Sequence, residues 1–207
     1  MSDPRADLVG LVLAAGAGRR MGGPKALLRR PSGESFVAHA AWSLYAGGLP
    51  RVVVVLGAAA EEAAALVPAE PWAHVVVAPD WAEGMGASLR AGLAALGGTA
   101  GMAGMAATEA TAVLAAVVTL VDLPDVTGDV VARVVAALGP QPGRALVRAA
   151  YEGTAGHPVA IGREHWPAVI ASARGDAGAR RVFATEPHVL VECGDLATGR
   201  DLDAPQG

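Results

Sequence analysis

The chain has 207 residues, of which 53% are hydrophobic and 17% charged, with a net charge of −4. That length fits one domain over residues 1–207, and the apolar fraction supplies a core and excludes disorder of the chain as a whole. The acidic balance, with no basic stripe, excludes a nucleic-acid binder. The single cysteine, Cys193, excludes an internal disulfide and a zinc cluster, and fits a reducing, cytoplasmic compartment. Of the 16 basic residues, Lys25 is the only lysine.

Short aliphatic runs alternate with Ala-rich helical patterns. The runs Leu8–Leu13, Arg51–Leu56, Val75–Ala78 and Val113–Val121 are continuously apolar, as strands covered on both faces are. Helices are expected over Ser35–Ala46, Ala59–Leu66, Ala87–Leu96 and Val130–Leu138, with Ser35 as N-cap and Gly47–Gly48 as stop. Past Gly143, strands near Ala145–Ala149 and Pro158–Ile161 precede helices near Pro167–Ala173 and Ala179–Ala184. This order predicts an α/β fold: a three-layer, open, mostly parallel sheet with helices on both faces. The leader Met1 to Asp7 carries Asp3 and Asp7 against Arg5, so it lacks the positive start of a signal peptide. From Thr99 to Val121 only Glu109 is charged, but the first half is Gly, Ala, Met and Thr. It reads as a loop followed by a buried strand, not as a membrane span.

The first strand runs into Gly16-Ala17-Gly18-Arg19-Arg20-Met21-Gly22-Gly23-Pro24-Lys25. Glycines let backbone N–H groups point at an anion without a Cβ in the way, and cations follow them. The pattern reads as a polyphosphate cradle. It is not the dinucleotide fingerprint, which requires Gly at position 21, where Met21 stands. Nor is it a P-loop, since Pro24 precedes Lys25 and Ala26 follows. The bland alternative is a tight turn with solvated arginines.

Downstream, Asp122 closes the most apolar strand in Val121-Asp122-Leu123-Pro124-Asp125, where open α/β sheets bind ligands. A carboxylate there suits Mg²⁺, although a turn acid explains it equally in isolation. Ser88, in Trp81-Ala82-Glu83-Gly84-Met85-Gly86-Ala87-Ser88, reads equally as a helix cap or a ligand contact. His157 starts a late strand, and Asp176 has the look of a helix N-cap ahead of Arg180. Cys193 has no cation or His beside it and reads as structural.

Together these segments resemble the nucleotidyltransferases. The loop matches L-A-x-G-x-G-x-R-M-x(3)-K, in the Ala-Ala-Gly form of molybdenum-cofactor cytidylyltransferases (MocA-type) within the MobA-like NTP transferase family. Six segments match in order over nearly the whole chain. The resemblance implies a Rossmann-like nucleotidyltransferase (nucleotide-diphospho-sugar transferase) fold that transfers CMP from CTP to the phosphate of molybdopterin, releasing pyrophosphate. It implies that Ala14, Ala15, Gly16, Gly18, Arg20, Lys25, Gly84, Gly86 and Ser88 bind the nucleotide. It further implies acceptor contacts at His157, Asp176 and Arg180, and Mg²⁺ ligands at Asp122 and Asp203, with Asp201 as the alternative to Asp203. Ala204 departs from the Thr usual in D-[IV]-D-T-P. A recipient molybdenum hydroxylase is the implied partner. Other readings stay open: a guanylyl- or sugar-phosphate nucleotidyltransferase using GTP or another NTP, a non-catalytic NTP-binding delivery chaperone, and last a Rossmann-type redox enzyme.

Overall fold

A computed structural model describes residues 5–18, 22–97 and 113–202. The chain builds one seven-stranded sheet of order β3-β2-β1-β4-β6-β5-β7. Its strands are β1 (Leu8–Ala14), β2 (Val52–Leu56), β3 (Ala73–Val77), β4 (Ala115–Leu120), β5 (Leu146–Tyr151), β6 (Thr154–Gly162) and β7 (Val189–Glu192). Every pairing is parallel except those of β6, which runs antiparallel to both β4 and β5. Helices cover both faces, as the alternation of strands and helices predicts. One face carries α1 (Phe36–Ala46) and α4 (Gly128–Ala136), packed through Val37, Leu44, Val130 and Val134 onto Val12, Val54 and Val117. The other carries α3 (Met85–Gly97), α5 (Trp166–Ser172) and α6 (Arg180–Thr185), through Leu89, Leu93, Val169 and Phe183 onto Leu11, Val55, Val118 and Ile161. A short α2 (Ala60–Ala64) follows β2. All seven residues of β1 and all five of β2 are buried, which is why these runs carry no alternation.

Local sequence explains the ends of the elements. Ser35 caps α1, its Oγ accepting from the Ala38 N–H at 3.2 Å, and Gly48 turns the chain away at φ +94°. The helix expected over Ala59–Leu66 stops at Ala64, and α3 begins two residues earlier than expected, at Met85. The strand expected over Pro158–Ile161 extends from Thr154 to Gly162. The loop expected before β4 lies outside the described residues. Among the described residues, no helix is long and apolar enough to cross a membrane. The carboxyl ends of β1, β2 and β4 meet on one side of the sheet, and there the cleft opens.

Candidate active site

A cleft of about 500 Å³ lies over those strand ends. Its floor is the loop leaving β1, where Ala15, Gly16 and Gly18 line the wall. Ala14 packs in the core with Val12 and Leu56 and does not line the cleft, where nucleotide binding is expected of it. Gly18 has a local reason to be glycine: φ is +56°, and a Cβ there would stand 1.8 Å from the Gly23 carbonyl oxygen. Gly16 has none. Among the described residues, a Cβ at Gly16 would meet nothing within 4 Å, so no packing among them demands glycine. Arg20 lies outside the described residues.

Lys25 and Asp122 both line the cleft, and they touch. The Lys25 Nζ donates to Asp122 Oδ2 at 2.6 Å and to the Leu202 carbonyl at 2.8 Å. Both side chains are largely buried, at 23% and 13% exposure. The Leu202 N–H in turn donates to the Asp122 carbonyl at 3.0 Å. The strand-end acid therefore holds both the loop lysine and the C-terminal segment. Around it, Arg30 donates to the Pro124 carbonyl at 3.1 Å, and Asp125 Oδ2 accepts from the Thr198 N–H at 2.6 Å. Asp125, which matches no motif position, thus ties the same C-terminal segment to the turn that carries Asp122. Asp201 lines the cleft, while Asp203 lies outside the described residues.

The opposite wall is Trp81 to Met85 together with Ser88 and Asp176. Ser88 is 4% exposed and stands inside α3, so it is not the cap of that helix. The α3 N-terminus is met from elsewhere: Asp176 Oδ1 accepts from the Met85 N–H at 3.5 Å, across 91 positions. Asp176 therefore caps α3 rather than the helix that follows it. The same approach explains both glycines of the loop. A Cβ at Gly84 would stand 2.7 Å from the Gly175 carbonyl carbon, and one at Gly86 2.8 Å from the Arg174 nitrogen. Gly84 still lines the cleft, whereas Gly86 does not, so packing against Ala173–Arg174 accounts for it.

The expected acceptor residues are not brought together. Asp176 lines the cleft, but His157 and Arg180 do not. His157 stands on β6 beside Arg148, a residue that no motif flags. Arg148 donates through Nε to the Gly156 carbonyl at 3.0 Å and lies over the Phe183 ring at 5.9 Å. Burial and the Arg148 charge push the His157 pKa down to about 4. Burial and the neighbouring Arg180 also push Arg148 below its usual value. A stability effect follows. Between about pH 4 and 6.5 the unfolded chain binds the His157 proton and the folded chain does not, so stability falls as pH drops through that window. Thermal unfolding followed from pH 7 to 4.5 should show a steeper loss for wild type than for His157→Gln, and parallel curves would refute the assignment.

The donor set suits a hard cation. Asp122 and Asp201 both face the cleft, and among the described residues no group of three His, Cys, Asp and Glu side chains is gathered to hold a metal. Two carboxylates on one cleft are oxygen donors of the kind a hard divalent cation takes, and they do not make a closed zinc cage. Trp81 and Glu83 also line the cleft; both stand in the Trp81–Ser88 segment, of which only Gly84, Gly86 and Ser88 are expected as nucleotide contacts.

Residues 10–190 match the model of the MobA-like NTP transferase domain. A relative from Paenarthrobacter nicotinovorans, named nicotine blue oxidoreductase, is 38% identical over 206 residues, 95% of this chain and 92% of that protein. A Mycobacterium tuberculosis protein solved in complex with manganese superposes with TM-score 0.66 at 24% identity, over 90% of this chain and 87% of that one. A nucleotidyl transferase from Methanothermobacter thermautotroptrophicus gives 0.67 at 19% identity, over 90% and 88%. The two structures share the fold, and the family match spans the loop, the cleft walls and the strand-end acid. The chain belongs to the MobA-like NTP transferase family and with it to the nucleotidyltransferase class of enzymes.

Proposed function

We propose that the protein transfers CMP from CTP to the phosphate of a molybdopterin-type acceptor and releases pyrophosphate, with Mg²⁺ as the cofactor. One observation carries this reading: the bare loop at Gly16, the cation Lys25 and the acid Asp122 converge in one cleft, with Lys25 and Asp122 2.6 Å apart. The acceptor phosphate is already ionised at neutral pH, so the reaction needs positioning and charge neutralisation more than a general base. His157, outside the cleft lining and depressed to about 4, is neutral at pH 7 and is not required as one. The loop N–H groups around Gly16 and Gly18 cradle the phosphates. Lys25 turns from Asp122 to the oxygens of the departing pyrophosphate, where a compact ammonium follows the developing charge. Arg20 belongs to the same cradle by its motif position. Asp122 and either Asp201 or Asp203 would hold the divalent cation. When bound, it neutralises the phosphates and supplies Lewis acidity at the α-phosphate.

The alternatives are a guanylyl- or sugar-phosphate transferase and a delivery chaperone that binds NTP without turnover. A second, redox reading rests on the 38% identical relative named as an oxidoreductase. Against it stands Met21, which breaks the dinucleotide fingerprint. Purified protein with Mg²⁺, molybdopterin and each NTP in turn should release pyrophosphate with CTP and form a CMP-linked product. Release with GTP instead would move the base specificity. Binding of CTP without release, even with acceptor, would favour the chaperone. Binding and oxidation of NADPH with no NTP turnover would favour the redox reading. A nucleotide at 100 times its Kd should stabilise the fold by about 2.7 kcal/mol.

A further inference from the structure

Asp122 leaves β4 on a turn, residues 121–126, and contacts from other segments hold that turn. The Leu202 N–H donates to the Asp122 carbonyl at 3.0 Å, and the Thr198 N–H to Asp125 Oδ2 at 2.6 Å. Ser43 Oγ, on α1, donates to the Val126 carbonyl at 3.0 Å. A fourth contact comes from the connection that carries Lys25. Arg30, five residues after it, donates through Nη2 to the Pro124 carbonyl at 3.1 Å. Arg30 lies outside every motif segment, and its surroundings fix it closely. Its backbone N–H donates to the Glu34 carbonyl, and its carbonyl accepts from the Gly33 N–H, both at 2.8 Å.

The other arm of the guanidinium is braced as well. Nη1 donates to Glu34 Oε2 at 3.0 Å and to His39 Nδ1, on α1, at 2.6 Å. A guanidinium has no acceptor, so Nδ1 is the accepting nitrogen and the imidazole carries its proton on Nε2. Burial and the Arg30 charge hold the His39 pKa below its ordinary value, over the opposing pull of Glu34. One side chain thus joins α1, the hairpin after Lys25 and the Asp122 turn. A fork spans such partners because its donors are a fixed distance apart, whereas an ammonium meets its partners at a single point. We infer that Arg30 is a positioning residue that, braced by His39 and Glu34, sets the Asp122 turn against the Lys25 loop and so fixes the geometry in which Asp122 receives a divalent cation. The consequence for turnover rests on the nucleotidyltransferase reading, and the inference adds to it the residues that orient its acid.

Two variants that leave the charge unchanged test it. Arg30→Lys keeps the cation and loses the span, and His39→Leu removes the brace. In Arg30→Lys, Mn²⁺ affinity of the nucleotide-free protein, measured by calorimetry, should fall by about 10–100-fold, the usual cost of losing a group that orients a metal ligand. Hydrogen exchange over residues 121–126 should speed up. The kcat for pyrophosphate release should fall by a similar factor. His39→Leu should follow the same course. His39→Asn, whose Oδ1 accepts where Nδ1 did, should return to within about 3-fold of wild type. If Arg30→Lys fails to fold, the two His39 variants carry the same comparison. A lowered Tm with Mn²⁺ affinity and exchange at the turn unchanged makes Arg30 merely structural and overturns the inference. So does a His39→Asn that behaves like His39→Leu. The metal and exchange readouts need no turnover. If both change as expected in a protein that turns over no NTP, the positioning role stands and the nucleotidyltransferase reading fails.

Discussion

Asp122→Asn is expected to lower pyrophosphate release by about 10³-fold, the size that follows from losing several kcal/mol of charge stabilisation at the reacting phosphate. The folded state should survive the change. Asparagine keeps an oxygen for Lys25, and the contact from the Leu202 N–H is made to the backbone of residue 122, not to its side chain. The largely buried pair loses the carboxylate charge opposite Lys25 but keeps its hydrogen bond, so the stability cost is about 1 kcal/mol, a drop of roughly 2–4 °C in Tm. Metal titration provides the discriminating readout. In wild type, nucleotide affinity should rise with Mg²⁺ or Mn²⁺, and in Asp122→Asn that rise should vanish. A variant that keeps full metal dependence would place the cation elsewhere, however inactive it became. Asp201→Asn and Asp203→Asn, assayed beside it, identify the second ligand, because only the true one should reproduce the loss.

The reasons some parts of this site are legible in the chain and others are not are physical. The central strands announce themselves because both faces are buried, so Val52 to Leu56 reads as unbroken aliphatic sequence. The direction of β6 does not, since an apolar run looks the same in a parallel or an antiparallel strand. Strand β7 is not anticipated for another reason: it is only four residues long, and the apolar run Val189 to Val191 is too short for its periodicity to tell strand from helix or loop. Within the site, the glycine loop and Asp122 are visible as local motifs. The pairings that give them geometry are not, because Lys25 and Asp122 are 97 positions apart, as Met85 and Asp176 are 91. For the same reason Gly86 looks like a ligand contact in sequence. Only the approach of Ala173–Arg174 shows that packing requires it. Chemistry that depends on one residue type at one turn is legible, and chemistry that depends on two distant segments meeting is not.

Lys25 is where that difference has the largest consequence. As the only lysine among 16 basic residues, it marks a position that arginine does not fill. Taken from its motif alone, it faces ligand, and its removal leaves the fold untouched. The structure instead gives it two partners, Asp122 at 2.6 Å and the Leu202 carbonyl at 2.8 Å, so it also fastens the C-terminal segment. Lys25→Ala should therefore have three effects. Turnover should fall by about 10²–10³-fold, as when one preorganised donor to a developing charge is removed. Hydrogen exchange over residues 198–202 should speed up, because one of the contacts holding that segment is gone, although Asp125 still binds Thr198. Affinity for Mn²⁺ without nucleotide should rise, by about tenfold if the lost competition for Asp122 amounts to roughly 1.4 kcal/mol. The last effect separates the lysine from a merely structural residue, since general loosening would weaken metal binding rather than strengthen it. Lys25→Arg tests the shape. A guanidinium keeps the charge but is larger and carries its donors in a fixed planar fork, so it cannot sit where the compact ammonium meets both Asp122 and Leu202. It should hold Asp122, lose Leu202, and remain well below wild-type turnover. Full activity in Lys25→Arg would show that charge alone suffices and that the choice of lysine has no role in this site.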